Sequence, residues 1–507
     1  MVKAPRHSIG RRPLLLVAGA LVFGAVLTSS SGGYRYGVTD QAFYIPVVLD
    51  EIVPGLFPLD SDLIDAQDRF FVLDDWFAWV IQLTGLSLPV VFLSAYLLTL
   101  LLLYAAIVGI GQTMYRTGWA VSGLVFLMTV RHRIPRTAVN SVEGYFHPRM
   151  LAFAVGLCGV ALFLRGRTRW ALVVVVAALL AHPTTGVWFV ILVGGAAVVS
   201  DRAPTRSLLL WAASGVTAGV WALAYPLRSQ LAVMDDTWIE VLSIKDYLVI
   251  AGWPIAAWIS NLAIAGFVFV LYWYRRSLGV ASRREGGLVA GCGLLVGLFL
   301  LSAPFSRGLV ALAVQLQFNR IFWLVEVVGV VYLGWLLVES PLPRFRRQAA
   351  ALHMRPRRAV VVIVALLALT RGGYRVFVER AGQPIIQVGL ASNEWNDVMR
   401  WASDQPIGTH FLADPVHSGR YGTSVRAASG RDVYLELIKD TGIAIYSSDV
   451  AHRVARRVRD LGDFEHLTVE HARVLADRYA IDFLITEQRL ELPIAHATDR
   501  FVVYELK

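Results

Sequence analysis

Long apolar runs separated by short polar segments dominate the chain up to about residue 371. A helix needs about 20 mostly apolar residues to cross a membrane. The runs predict about eleven membrane-spanning helices, near residues 13–30, 86–110, 118–131, 149–164, 170–182, 184–199, 207–225, 250–274, 287–304, 318–338 and 359–371. This pattern is typical of a polytopic α-helical membrane protein.

The pattern changes after about residue 385, where polar residues interleave with short apolar runs. Runs at 409–413, 433–437, 481–486 and 501–506 resemble strands, and helical spacing recurs at 393–402 and 469–479. The alternation predicts a small α/β domain. We therefore divide the chain into a membrane bundle at 1–384 and a soluble domain at 385–507.

Composition agrees with a membrane protein and decides what the charge means. The chain is 56% hydrophobic and 17% charged, whereas ordinary soluble domains are about a quarter charged. The formal net charge of +10 comes from arginines that lie beside apolar runs. That is the positive-inside pattern of membrane proteins, so we expect membrane lipids and no nucleic acid as partners.

The basic segments also predict the orientation of the chain in the cell (cytoplasmic) membrane. With a cytoplasmic N-terminus, the arginine-rich segments at 165–169, 202–206, 275–284 and 344–358 all fall on the cytoplasmic side. An odd number of spans then leaves three hydrophilic segments outside: an acidic loop at 31–85, a loop at 131–148, and everything after about residue 371. The soluble domain is thus predicted to be extracytoplasmic.

The search for soluble-enzyme chemistry excludes several classes. The sequence has no Walker loop, dinucleotide fingerprint, nucleophile elbow or zinc-type spacing. Both cysteines lie in apolar runs, and no ligand cluster specifies a metal, so we predict no cofactor; a divalent cation is compatible with the sequence but not indicated. The predicted cytoplasmic loops are too short to bind a nucleotide, which favours a membrane-borne substrate.

The acidic outer loop contains the first candidate for chemistry, Asp40. It follows the first predicted span by about ten residues and precedes apolar residues whose near-helical spacing predicts short helices at the membrane interface. A carboxylate there can act as a general base if burial raises its pKa. The alternative on spacing is a helix N-cap.

The loop at 131–148 is rich in Arg and His although it is predicted to lie outside. One reason for such a loop is phosphate binding, because guanidinium groups bind phosphate oxygens in pairs. We expect Glu143, His147 and Arg149 to be candidate substrate-binding residues. The alternatives are a misplaced preceding span, or lipid headgroups as the only partner.

Polar residues interrupt two further apolar regions. Gln317 and Arg320 are predicted at the outer end of one span, with Glu326 about 9 Å deeper, where charged groups are functional or paired. A structural Arg320–Glu326 network is the equal alternative. His182 precedes Pro-Thr-Thr-Gly at another outer turn, where it is either a phosphate donor or, more often in such turns, a helix cap.

This plan resembles the GT-C superfamily of membrane glycosyltransferases. Its members share an inward N-terminus, an acidic first outer loop, many spans and an outer C-terminal domain, and Asp40 in the segment 39–44 matches their catalytic acidic residue by position. The segments 145–153 and 315–320 look like those of uncharacterised bacterial members. The sequence departs from O-mannosyltransferases in having Gln41 where they have a second acidic residue. It also lacks the Trp-Trp-Asp motif of oligosaccharyltransferases.

The resemblance implies a GT-C-like bundle and an inverting transfer from a polyprenyl-phosphate-linked sugar. Asp40 would take a proton from an acceptor that the sequence does not identify, while Arg149, Arg320 and His147 hold the leaving phosphate. Two other classes stay open: a transporter or flippase for a lipid or small anion, and a non-catalytic scaffold for envelope assembly. Internal repeats would favour transport, and we find none.

Overall fold

The fold is taken from a computed structural model, which describes residues 11–69, 72–200, 206–224, 227–341 and 357–507. Within these residues the protein is mostly helical, with a small sheet near the C-terminus. The arginine-rich predictions at residues 202 and 344–347, and the basic residues before 11, lie outside the described residues.

Each of the eleven apolar segments predicted from the sequence is helical in the structure. The helices are Arg11–Ser30, Leu88–Met114, Gly118–Met128, Pro148–Leu164, Thr168–Ala181, Pro183–Ser200, Arg206–Ala224, Ile255–Ser277, Arg283–Arg307, Ile321–Val338 and Arg358–Tyr374. Six helical stretches among the described residues are long and apolar enough to cross a membrane. These helices agree with a polytopic α-helical membrane protein, whereas the count of eleven spans stays a prediction.

Small residues allow the bundle helices to approach closely. Gly287 and Gly291, one turn apart on Arg283–Arg307, face the helix Pro183–Ser200. A Cβ on Gly291 would lie 2.5 Å from the backbone oxygen of Leu192, a distance that real Cβ atoms do not show. Helices in a lipid bilayer associate through such close backbone packing, because the hydrophobic effect does not favour their association there.

Contacts between helix ends sort the loops into two groups at opposite ends of the bundle. At one end, Arg275 donates to the backbone oxygen of Met114 (3.0 Å) and Arg284 donates to that of Phe163 (3.2 Å). At the other end, the backbone N–H of Arg35 in the acidic loop donates a hydrogen bond to the backbone oxygen of Gly144 in the loop at 131–148 (3.1 Å). The grouping follows the predicted one, while the side of the membrane that each end faces stays a prediction.

The acidic loop contains three helices, Gln41–Ile52, Ser61–Asp68 and Leu73–Thr84, in agreement with the predicted short helices. Part of their apolar surface packs inward, and Ile45 and Val48 join the core of the bundle, whereas Trp76 and Trp79 are exposed. The loop therefore caps one end of the bundle. Two of the aromatic residues that indicate the third helix, at 70 and 71, lie outside the described residues.

The C-terminal domain contains a five-stranded mixed sheet. Its strands, in spatial order, are Asp432–Val433, His410–Leu412, Phe483–Thr486, Val502–Glu505 and Ile494–Ala497. The first three are parallel, and the last two are antiparallel to their neighbours. Three of these strands lie where the sequence predicts them. The predicted run 433–437 overlaps the strand Asp432–Val433 only at Val433, because the chain enters the helix Leu437–Ala444. The strand Ile494–Ala497 was not predicted, because half-exposed residues hide its period of two.

Six helices pack around this sheet: Glu394–Ser403, His417–Arg420, Val425–Ser429, Leu437–Ala444, Ser448–Leu461 and Val469–Tyr479. The first and last lie where helical spacing predicts them. The domain is joined to the acidic loop by a parallel pairing of Tyr34–Arg35 with Ile386–Gln387. The loop, the bundle and the domain thus meet at one end of the molecule.

Candidate functional site

A cavity of about 210 Å³ lies where the bundle, the acidic loop and the C-terminal domain meet. Its wall contains six of the seven residues that the sequence singles out as candidates. These are Asp40, His147, Arg149, His182, Gln317 and Arg320. The seventh, Glu143, lies behind the wall, with its Oε1 3.7 Å from Arg149 Nη2.

Asp40 occupies the N-cap position of the helix Gln41–Ile52, yet its side chain makes no capping hydrogen bond. One carboxylate oxygen instead lies 3.3 Å from His147 Nε2 and 3.8 Å from Arg149 Nη2, and the other lies 3.3 Å from Lys439 Nζ. A third of the side chain is exposed, on the cavity side. Asp40 therefore occupies the N-cap position that the alternative predicts, but its side chain does not cap the helix.

The electrostatics of Asp40 differ from the expected upward shift. Burial raises the pKa of its carboxyl, but Lys439, His147 and Arg149 together outweigh burial and hold the pKa well below its usual range. Asp40 is thus a carboxylate at neutral pH. The pKa of Asp40 rises only if a ligand attracts these positively charged side chains away from the carboxylate.

Both cavity histidines cap helices in the same way. His147 Nδ1 accepts from the backbone N–H of Arg149 (3.1 Å), and His182 Nδ1 accepts from that of Thr185 (3.3 Å). An accepting Nδ1 places the ring proton on Nε2 in each neutral imidazole. Burial, followed by Arg149, lowers the pKa of His147 to about 4, so it donates its Nε2 proton to Asp40 as a neutral ring. The capping alternative for His182 is correct, and it is compatible with a place in the cavity wall.

Arg149 lies at the start of the helix Pro148–Leu164 and is fixed by two carboxylates. Its Nη2 lies between Asp40 and Glu143, and Glu143 in turn pairs with Arg131 at 3.3 Å. The Nε and Nη2 atoms of Arg149 are nevertheless buried without a hydrogen-bond partner among the described residues. The two carboxylates attract the Arg149 guanidinium at these distances, but its Nε and Nη2 N–H groups donate no hydrogen bond to a described residue.

Arg320 is the second guanidinium in the wall, and it makes no ion pair with any described residue. Its buried Nε also lacks a hydrogen-bond partner there. The alternative Arg320–Glu326 network is wrong, because the Glu326 carboxylate contacts His132. The cavity therefore contains a buried cation whose charge no described acidic residue neutralises.

Backbone strain is concentrated around the cavity. Six non-glycine residues among those described adopt positive φ, and three of them are Thr39, Ala138 and Gln317. Ala138 and Gln317 line the cavity, and Thr39 precedes Asp40. Such conformations are unfavourable, most of all for a β-branched residue such as Thr39, and they cluster at functional sites.

A second cavity, also about 210 Å³, adjoins the first and is mainly apolar. The two share Gln67, His182 and Tyr446 in their walls, and the second continues between Val187, Leu312 and Leu316. An apolar space therefore leads from the charged cavity into the bundle.

The sequence reasoning missed two lysines and several tyrosines in the charged cavity. Lys439 comes from the C-terminal domain, Lys245 from the loop before Ile255–Ser277, and Tyr44, Tyr247 and Tyr446 complete the wall. Burial, and then Lys439, lower the pKa of Lys245 to about 8. One signal for the lysines was present: the chain has only four lysines among its 47 basic residues.

Among the described residues, no three His, Cys, Asp or Glu side chains gather as metal ligands. Lys439 and Arg149 are the near neighbours of Asp40, and cations are poor companions for a metal ligand. The prediction that the protein needs no cofactor is not tested by this arrangement and stays a prediction.

No model of a known protein family matches the sequence, and no curated protein matches it. Among solved structures, the chain is similar to the oligosaccharyltransferase of Archaeoglobus fulgidus in complex with zinc and sulfate, with a TM-score of 0.45 and 11% identity over 93% of this chain and 68% of that one. It is also similar to AglB of the same organism in complex with an inhibitory peptide and a dolichol-phosphate (TM-score 0.46, 12% identity, 94% and 70% covered). The superfamily named from the sequence stays a resemblance.

Proposed function

We propose that this protein is an inverting glycosyltransferase that moves a sugar from a polyprenyl-phosphate donor to an acceptor at the outer face of the membrane. The observation that carries the proposal is the charged cavity. One carboxylate, Asp40, shares it with two guanidinium groups, Arg149 and Arg320, whose donors the protein leaves partly unpaired.

The cations fit a phosphate group. Buried donors without acceptors are unfavourable unless a ligand supplies the acceptors, and arginine binds phosphate oxygens in pairs. His182 lines the same wall, while the Nε2 proton of His147 is donated to Asp40. Two guanidinium groups around one space would stabilise the charge that develops on a leaving phosphate.

The adjoining apolar cavity supports a lipid-borne donor. A phosphate held between Arg149 and Arg320 would have an apolar path beside it, between Val187, Leu312 and Leu316. A water-soluble nucleotide sugar has no long apolar group that could occupy such a path. A polyprenyl chain would bury apolar surface there, at roughly 25 cal/mol for each Å².

Transfer then follows from charge. The phosphate of the donor attracts Arg149 and adds negative charge near Asp40, so the pKa of Asp40 rises and its carboxylate becomes a better base. Asp40 takes the proton of the acceptor hydroxyl or amine as the acceptor atom bonds to the anomeric carbon. The bond from that carbon to the phosphate oxygen breaks, and its electron pair leaves with the lipid phosphate.

The proposal is tested by Asp40→Asn in the full chain, reconstituted in lipid vesicles. The assay measures release of lipid phosphate from a panel of short-chain polyprenyl-phosphate sugars, with cell-envelope fragments as acceptor. We expect Asp40→Asn to lower the rate by about 100-fold or more, as loss of a general base does.

Asp62→Asn is the matched control, because Asp62 belongs to the same loop but its side chain is 80% exposed. We expect it to retain the wild-type rate. Full activity of Asp40→Asn would remove Asp40 as the base. Movement of an intact polyprenyl-phosphate sugar across the vesicle without release of lipid phosphate would instead support the transporter class.

A further inference from the structure

The C-terminal domain supplies one wall of the charged cavity. The helix Leu437–Ala444 and the two residues after it contribute Ile438, Lys439, Gly442, Ile445 and Tyr446. The cavity is therefore incomplete without the domain. Of these five residues, only Lys439 is charged.

Lys439 is held in one place by three features. Its Nζ lies 3.3 Å from Asp40 Oδ1 and 4.9 Å from the centre of the Phe43 ring, and its side chain is 8% exposed. Lysine is normally a solvated residue, and a buried lysine is stable only with a partner. Its partner here is the one carboxylate in the wall of the charged cavity.

The helix that carries Lys439 approaches the acidic loop through a glycine. A Cβ on Gly442 would lie 2.6 Å from the ring of Phe43, so the close contact between helix and ring requires glycine. The next residue after Lys439, Asp440, accepts from Arg426 (2.6 Å), and Arg426 also donates to the buried Asp60 of the acidic loop (2.6 Å). Ion pairs on one side and the glycine contact on the other thus fix the position of Lys439.

We propose that Lys439 is a positioning residue of the transfer reaction, which holds the Asp40 carboxylate toward the cavity and makes the C-terminal domain a necessary part of the site. The inference rests on the function proposed above. The nearest other groups that face Asp40 are His147, Arg149 and the Tyr145 hydroxyl at 3.5 Å. The titratable groups that interact with it from farther away are Tyr44, Glu143, Lys245 and Tyr247. Each of these belongs to the bundle, so Lys439 is the contribution of the domain.

The role predicts a change in pH dependence. Lys439 is the largest influence that lowers the pKa of Asp40, whereas burial raises it. Without the lysine the pKa of Asp40 rises, and the ionised carboxylate is lost as the pH falls through this higher value. We expect the acidic limb of the rate profile to move up by about one pH unit in Lys439→Met, because an opposite charge at this distance shifts a carboxyl pKa by about 1–3 units.

The experiment compares Lys439→Met, Lys439→Arg and Lys507→Met in the lipid-phosphate release assay from about pH 3.5 to pH 9, a range that reaches the low pKa of Asp40. Lys507 is a matched control, since it is a lysine of the same domain whose side chain is 48% exposed and pairs with Asp482. At a pH on the acidic limb of the wild type, we expect Lys439→Met to be about tenfold slower relative to its own rate at pH 8, because the limb lies about one pH unit higher. Lys439→Arg and Lys507→Met should keep the wild-type profile.

A second variant guards against misfolding. Gly442→Ala retains the lysine but forces its helix away from Phe43, so we expect a slower rate and a shifted acidic limb in a chain that still has every charged group. Wild-type profiles in both Lys439→Met and Gly442→Ala would overturn the inference while the wild-type enzyme still releases lipid phosphate. Absence of release by the wild type at every pH would instead count against the proposed function.

Discussion

Asp60 joins the acidic loop to the C-terminal domain, and Asp60→Asn tests this connection directly. Its side chain is fully buried and accepts from Arg426 Nε at 2.6 Å and from the backbone N–H of Val433 at 3.1 Å. It also contacts Arg453 and lies 3.6 Å from Arg457. Replacing the carboxylate by an amide keeps the shape and leaves these guanidinium groups without their shared counter-charge.

The magnitude follows from burial. Removing one partner from a buried ion pair costs about 3–5 kcal/mol. Arg426 retains Asp440 at 2.6 Å, and an amide oxygen can still accept one hydrogen bond, so we expect the lower end, about 3 kcal/mol. Asp62→Asn is the control, because Asp62 lies 3.8 Å from the same Arg453 but is 80% exposed, and such pairs contribute at most about 1 kcal/mol.

Hydrogen exchange with mass spectrometry on the full chain measures the effect without unfolding the bundle. The reporter is the strand Phe483–Thr486, which lies at the centre of the sheet with Leu484 and Ile485 buried. A loss of about 3 kcal/mol makes its slowest amides exchange about 100-fold faster if they open with the domain. Equal exchange rates in Asp60→Asn and Asp62→Asn would refute the reasoning that the buried pair holds the domain in place.

Two further predictions concern the phosphate and the membrane. Arg320→Met should weaken binding of farnesyl phosphate to the detergent-solubilised chain by about tenfold or more, because a hydrogen bond to a charged group is worth about 1.5–3 kcal/mol. The affinity is measured by titration, and Arg133→Met, at an exposed position, is the control that should bind as the wild type does. Equal affinities of the Arg320→Met and Arg133→Met variants would remove Arg320 from the phosphate site. A cysteine at Asp499, an exposed residue of the C-terminal domain, should react with an impermeant thiol reagent in intact cells; labelling only after lysis would overturn the predicted orientation.

The sequence predicted the helices of the bundle well, because membrane helices are read from composition alone. All eleven apolar segments are helical, including Pro183–Ser200, which begins directly after His182. The strand Ile494–Ala497 and the helix Ser448–Leu461 were not predicted. In the helix, charged residues such as Arg453 and Arg457 interrupt the apolar pattern, and their burial depends on Asp60, which is distant in the chain.

The candidate site was accessible from the sequence only in part. Asp40 stands out because it follows the first apolar run by about ten residues, and His147 and Arg149 stand out because their basic loop is predicted on the outer side, against the positive-inside pattern. Lys439 lies in a short helix of the predicted soluble domain, and beyond the small number of lysines in the chain no local pattern marks it. Its contact with Asp40 joins residues 399 positions apart, and no local pattern indicates such a pair.

The sequence by itself determined which segments form the bundle and which charged residues are unusual, because hydrophobicity and periodicity are local properties. Only the tertiary structure decided that these residues share one cavity and that positive neighbours hold the pKa of Asp40 low. It also decided that Glu326 contacts His132, so that Arg320 has no acidic partner among the residues that the structure describes. The physical reason is that electrostatic interactions depend on separation in space, and these residues become neighbours only when the C-terminal domain packs against the acidic loop in the folded chain.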